Sequence, residues 1–169
     1  MLDRRNFTFA FGAAAIVTAC TQGTSTAKPI LETETEMDAN IDWKALTKEQ
    51  WKERLTEEEF YVLRKEGTEA PFTSPLNDEK RVGTFACAGC ALPLFTSETK
   101  YESGTGWPSF FQPIEGNVKT KRDFKLVIPR TEYHCRRCGG HQGHVFKDGP
   151  QPTGLRYCNN GVALDFVPA

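Results

Sequence analysis

This 169-residue chain has almost no net charge, no internal repeat beyond a doubled C-x-x-C unit, and no apolar run long enough to span a bilayer. Each absence removes a class of function. A membrane-crossing helix needs about 20 apolar residues, whereas the stretch from Phe7 to Ala19 has thirteen and includes Gly12 and two threonines. With 21 basic against 22 acidic side chains the net charge is −1. Such a body cannot neutralise a row of phosphates, so nucleic acid is excluded as the expected partner. The length suits one domain with a real core and is too short for two of ordinary size. Ten prolines alongside 38% hydrophobic and 25% charged residues describe a soluble, turn-rich globular protein.

What is present begins with a targeting segment. Residues 1–20, MLDRRNFTFAFGAAAIVTAC, pair Arg4 and Arg5 ahead of the apolar stretch, the pattern of a twin-arginine export signal. Its end, Val17-Thr18-Ala19-Cys20, resembles a lipobox, which would make Cys20 a lipid anchor; plain peptidase cleavage near Ala19 is the alternative. Residues 21–44 lack repeated apolar spacing and read as a flexible tether, leaving 45–169 as the domain. The expected location is therefore the periplasm, as a membrane-anchored lipoprotein.

Two short helices are predicted over 47–54 and 57–66. Thr47 with Gln50 and Thr56 with Glu59 fit capping boxes, and Gly67 offers a stop. After Pro71 the pattern turns to short alternating runs at Gly83–Cys87, Phe124–Ile128, Thr131–Cys135, His144–Phe146, Arg156–Cys158 and Val162–Phe166. The fold class is mainly β and antiparallel, with the helices at its N-terminal edge.

FACAGCALP and YHCRRCGGH supply Cys87, Cys90, Cys135 and Cys138, two C-x-x-C pairs separated by 44 residues (135 − 90 − 1). Two such turns can close a tetrahedral four-thiolate site, for which a structural Zn²⁺ is the natural occupant. Disulfides or a redox couple compete in an oxidising compartment, and His141 and His144 invite a Cys₂His₂ set, although their spacing is tighter than usual. Flanking small residues, and export in the folded state with metal already loaded, favour zinc.

Cys158 is then the uncommitted thiol. A lone buried cysteine is ordinarily a small hydrophobe. In an extended segment, however, Arg156, Cys158 and Asn160 share a face, which sets a cation and an amide beside the sulfur. A neighbouring positive charge favours the reactive thiolate.

GTEAPF (67–72), SGTGWPSF (103–110), the C-x-x-C pairs and CRRCGGHQGHVFKDGPQPTGLRYCNN (135–160) resemble the B type of methionine sulfoxide reductase, which acts on R-sulfoxides. The resemblance spans roughly residues 45–168. It implies two antiparallel sheets, with the zinc knot away from the catalytic face. It implies Cys158 as the nucleophile that becomes a sulfenic acid, Trp107 as the aromatic wall for the methyl group, and His141, His144 and Asn160 as polar groups facing the sulfoxide oxygen. His144 is the favoured proton donor. Arg156 and Asp148 fall on supporting positions in substrate binding, and His134 has no matched role. The implied partners are oxidised proteins or peptides carrying methionine R-sulfoxide, and a thioredoxin-like or other thiol reductant.

The sequence departs from the family pattern in places. Gln142 stands where leucine is usual, and Asn159-Asn160-Gly161 replaces an apolar residue, asparagine and serine. Thr105 occupies a plausible position for the resolving cysteine of many relatives, and no spare cysteine remains, so the expected regenerant is an external thiol. Two other classes compete with the enzyme reading. A zinc-ribbon peptide-binding module would tolerate Cys158→Ser, and a thiol–disulfide oxidoreductase running on the C-x-x-C pairs is disfavoured by stoichiometric zinc.

Overall fold

The computed structural model describes residues 41–124 and 129–169. The leader, the lipobox and residues 21–40 of the expected tether lie outside the described residues. So do residues 125–128, which hold most of the strand expected at Phe124–Ile128. Among the described residues, no helix is long and apolar enough to cross a membrane.

Among the described residues two helices come first, α1 (Lys48–Arg54) and α2 (Glu57–Lys65), and both start at the expected capping boxes. Thr47 and Thr56 each accept from the third helical N–H, while Gln50 and Glu59 reach back to the cap N–H. The second helix stops on Glu66 in a left-handed conformation (φ 55°), one residue before the expected glycine. Phe60, Val62 and Leu63 face the core. Trp43, inside the expected tether, is buried and packs against Trp51 with ring centroids 6.0 Å apart. The packed unit therefore already includes this part of the expected tether.

Nine strands follow among the described residues, all paired antiparallel: β1 (Gly83–Cys87), β2 (Pro93–Thr96), β3 (Lys100–Tyr101), β4 (Ser109–Phe110), β5 (Val118–Asp123), β6 (Arg130–Cys135), β7 (His141–Phe146), β8 (Arg156–Asn159) and β9 (Leu164–Pro168). They form a three-stranded sheet, β2-β1-β9, and a six-stranded sheet, β3-β4-β8-β7-β6-β5. The mainly β, two-sheet architecture with N-terminal helices agrees with expectation. In the last predicted strand, residues 161–163 form a 3-10 turn, and pairing begins at Leu164.

Side-chain alternation divides the six-stranded sheet. Phe110, Tyr133 and Tyr157 point to the core, where Phe95 stacks on Phe110 at 4.2 Å and Tyr133 meets Tyr157 edge-on at 5.2 Å. Their neighbours Ser109, Glu132 and Cys158 belong to the opposite face. Ser109 and His144 flank Cys158 in register, and Glu132 lies across from His144. That face carries the candidate chemistry.

Candidate active site and metal centre

The cleft is built on β7 and β8. It holds about 140 Å³ and is lined by Thr68, Trp107, Arg130, Gly143, His144, Phe146, Cys158, Asn159 and Asn160. Two strands can lie this close because residue 143 is glycine: a Cβ there would sit 1.9 Å from the Cys158 carbonyl oxygen. Trp107 follows the Ser103–Gly106 loop, where Gly104 and Gly106 adopt φ of 71° and 90°. Its indole Nε1 donates to the Glu69 carbonyl at 3.2 Å. Glu69 in turn spreads its carboxylate over the Gly161 and Val162 N–H groups at 2.6 and 2.9 Å, fastening the turn that follows Cys158.

His141 and His144 are three residues apart, a spacing that puts side chains on opposite faces of a regular strand. A bulge corrects this. Tyr133 pairs with Gly143 but His134 pairs with His141, so Gln142 is the extra residue on β7, and both histidines reach the same face. Their rings are 5.5 Å apart. Only His144 opens into the cleft. Its Nε2 bonds Asp123 Oδ2 at 2.8 Å, and Arg130 also bonds that oxygen at 2.8 Å. Burial pushes the His144 imidazole below its usual value, with the Asp123 bond opposing the shift. His141 is buried behind the cleft lining with Nδ1 on Glu132 Oε1 at 2.8 Å. For Glu132 burial acts against ionisation, but His141 and Lys121 outweigh it and hold the carboxylate below its usual value.

The sulfur of Cys158 is half-buried, and opposing influences act on it. Burial is the larger and pushes the thiol up; the Arg156 charge and hydrogen bonds from Thr105 and Arg156 pull it down without overcoming burial. The expected cation is therefore present and acts with the expected sign, but the resting group is a thiol. Arg156 sits 4.4 Å from the Phe146 ring centroid and is gripped by both oxygens of Asp148 at 2.9 and 2.8 Å. It lies outside the cleft lining, as does Asp148, which is exposed. Asn160 comes after the end of β8, so the regular alternation expected for residues 156, 158 and 160 stops at Asn159. Its amide is committed at both ends, donating to Gln142 O at 2.9 Å and accepting from Glu69 N at 3.0 Å.

Asp123, Arg130, Glu132, Thr68 and Glu69 form much of this setting and were not singled out by the sequence. The motif GTEAPF contained Glu69 without a role. A wider groove of about 640 Å³ lies beyond the Thr68–Glu69 segment and holds none of the predicted residues.

The metal centre lies elsewhere. Cys87 and Cys90 close the turn after β1, and Cys135 and Cys138 the turn after β6. In each turn the residue following the second cysteine bends back: Ala91 (φ 54°) and Gly139 (φ 73°) donate to the Cys87 and Cys135 carbonyls at 2.8 and 2.9 Å. All four sulfurs are buried and lie within 4.8 Å of one another. Four thiolates at 2.3 Å from one ion stand about 3.8 Å apart, and the observed Cys87–Cys138 and Cys90–Cys135 separations are 3.7 and 3.5 Å. Neighbouring sulfurs, Cys135 first, together with burial push the Cys87 thiol well up, while contacts within the same quartet, Cys138 first, push Cys135 down; four thiolates this close together would repel one another without a cation between them. N–H groups of Gly140 and Gln142 point at Cys138 and Cys87 at 3.3 and 3.4 Å. The donor set fits a tetrahedral, sulfur-loving metal ion.

A SelR domain model matches residues 55–168. The chain belongs to the SelR domain family. A Leptospira interrogans protein named peptide methionine sulfoxide reductase MsrB is 53% identical over 119 residues, covering 70% of this chain and 91% of the relative. A Pseudomonas putida protein of the same name is 54% identical over 123 residues, covering 72% of this chain and 92% of the relative. Peptide methionine sulfoxide reductase B1, chloroplastic, of Arabidopsis thaliana is 47% identical over 143 residues, covering 84% and 70%. The SelR match takes in the cleft and the metal centre together.

Proposed function

We propose that this chain reduces the R-sulfoxide of methionine residues in oxidised proteins, with Cys158 as nucleophile. The reading is supported above all by one arrangement: Cys158 stands outside the quartet, in a cleft whose lining includes Trp107 and His144. Membership of a family whose relatives bear the reductase name adds to it.

The sulfoxide methyl group rests on the Trp107 ring, a favourable surface for methyl and thioether groups. The Cys158 sulfur attacks the sulfoxide sulfur; the S–O bond to the substrate and this transient S–S bond then break as the oxygen passes to Cys158, so Cys–SH plus sulfoxide becomes Cys–SOH plus thioether, with sulfur oxidised on one side and reduced on the other. The oxygen must gain a proton as its bond to the substrate sulfur breaks. A raised thiol and a lowered imidazole mean that the resting pair holds one proton on sulfur and leaves His144 neutral. His144 then relays that proton from the thiol to the departing oxygen, so no outside acid is consumed. Asp123 holds the ring and stabilises its charged moment.

Regeneration uses an external thiol: Cys–SOH and R–SH give a mixed disulfide and water, and a second thiol restores Cys158. Thr105, within hydrogen-bond reach of Cys158, occupies the space of an internal resolving thiol. The quartet holds Zn²⁺, which supplies folding energy and takes no part in the reaction. The twin-arginine-like leader and the lipobox-like run ending at Cys20 support a cell-envelope location for this repair. A zinc-ribbon binding module is the lesser reading, since it leaves the cleft thiol without a task.

The test is turnover of the R- and S-sulfoxides of a blocked methionine by wild type and Cys158→Ser, with intact mass after one turnover. Expected are R-selective activity, none in the variant, and a sulfenic acid without an internal disulfide. Activity confined to the S form, or retained in Cys158→Ser, rejects the assignment.

A further inference from the structure

Gln142 touches both centres. It is fully buried, and a buried primary amide is costly unless both ends are bonded. Nε2 donates to Cys87 Sγ at 3.4 Å, and Oε1 faces Asn159 Nδ2 at 3.5 Å. A thiolate only accepts, which fixes the amide orientation: the donor end must face Cys87, leaving the acceptor for Asn159. Because Gln142 is the bulged residue of β7, its carbonyl also leaves the regular ladder and accepts from Asn160 N and Asn160 Nδ2 at 2.8 and 2.9 Å. Asn160 Oδ1 accepts from Glu69 N, and the Glu69 carbonyl accepts from Trp107 Nε1. A continuous bonded path therefore runs from a metal-site sulfur, through residue 142, to the two residues after Cys158 and to the Trp107 wall.

We propose that Gln142 is a positioning residue that ties the four-cysteine site to the Cys158 loop, so that metal affinity and Cys158 reactivity are linked. The metal-bound Cys87 thiolate orients the Gln142 amide, and the amide with its bulged carbonyl sets Asn159 and Asn160. Linkage makes the effect reciprocal at equilibrium: metal binding and loss of the Cys158 proton must alter one another by the same factor, and a lasting change at Cys158 is expected to register at the metal. The inference goes beyond the proposed reaction, and its test needs no turnover.

The full chain is loaded with Zn²⁺, and two quantities are read: Zn²⁺ affinity by competition with a chromogenic chelator, and the pH profile of Cys158 alkylation by iodoacetamide, located by peptide mass. Gln142→Leu and Gln142→Met fill the volume without either amide bond. Both should weaken Zn²⁺ binding about tenfold, the size of one charge-assisted hydrogen bond, and both should move the Cys158 profile. Gln142→Met behaving as wild type in either readout overturns the proposal, because packing alone would then suffice. A core substitution can unfold the chain, so the reciprocal arm uses the unmutated protein. Capping Cys158 with iodoacetamide should change Zn²⁺ affinity about fivefold, and an unchanged affinity overturns the link.

Discussion

Cys138 and Cys158 share a side chain and differ in everything that surrounds it. Cys138 is almost completely buried among three other sulfurs, with a backbone N–H aimed at it. Cys158 is half-buried in the lining of a cleft, with a guanidinium, a hydroxyl and an imidazole around it. The first setting suits negative charge on sulfur held by a metal ion and closes the approach to other molecules. The second leaves the thiol protonated at rest and open to a visitor. Reactivity follows from access and from the partners available when the proton must move, rather than from sulfur chemistry itself.

The sharpest way to break this division is to exchange serine for each sulfur. Cys135→Ser removes one ligand of four, and metal binding by such sites is worth on the order of 10 kcal/mol or more of folding free energy. The variant should lose its metal and its cooperative thermal transition. Cys158→Ser should keep metal content and stability within about 1 kcal/mol of wild type and lose all sulfoxide turnover. Metal analysis, thermal melting and activity measured on both variants check the pair. Turnover lost in both with stability intact in both would erase the distinction.

The two centres were not equally legible in the sequence. The metal quartet could be read because each half is local: C-x-x-C puts two sulfurs on one tight turn, and the chemistry of four thiols leaves few partners. Cys158 stood out by elimination, and its fuller setting came from resemblance. The bulge at Gln142 was not legible, since a one-residue slip in pairing leaves no mark in composition; it is what brings His141 and His144 to one face. Asp123 and Glu132 were passed over because a charge on an alternating strand ordinarily faces water, and only the long-range pairings with His144 and His141 give them a task. Strand β5, VKTKRD, carries polar side chains over most of its length and so lacks the apolar alternation that marks a half-buried strand. The same pattern suits its place at the sheet edge.

His144 tests the relay inside the cleft. His144→Asn should lower turnover about 100-fold, the usual contribution of a positioned acid or base, while iodoacetamide still reaches Cys158. Stability should fall by about 1 kcal/mol, since Asp123 keeps its bond to Arg130. A variant that turns over at the wild-type rate would move the proton donor elsewhere, with His141 the next candidate.

Arg156 gives a smaller and signed effect. Burial raises the Cys158 thiol and the Arg156 charge lowers it, so Arg156→Met removes the largest lowering influence and leaves burial in place. The midpoint of Cys158 alkylation against pH, already above that of an ordinary cysteine, should move further up, and the rate at neutral pH should fall with the thiolate fraction. A downward movement would show that the cation is not acting on this sulfur.

Asp148 provides the finest discrimination, because its two influences oppose each other. Its negative charge acts directly to raise the Cys158 thiol, yet its bidentate grip on Arg156 also keeps the cation in place. Asp148→Asn removes the first influence and weakens the second. The side chain is 60% exposed, so water screens its charge and the pair adds little to stability. The ring of Phe146 still holds the guanidinium after the substitution. The alkylation midpoint should therefore move slightly down, opposite in sign to Arg156→Met, with turnover changed by less than about threefold. An upward movement would mean that Asp148 matters chiefly as the clamp that aims Arg156 at the sulfur.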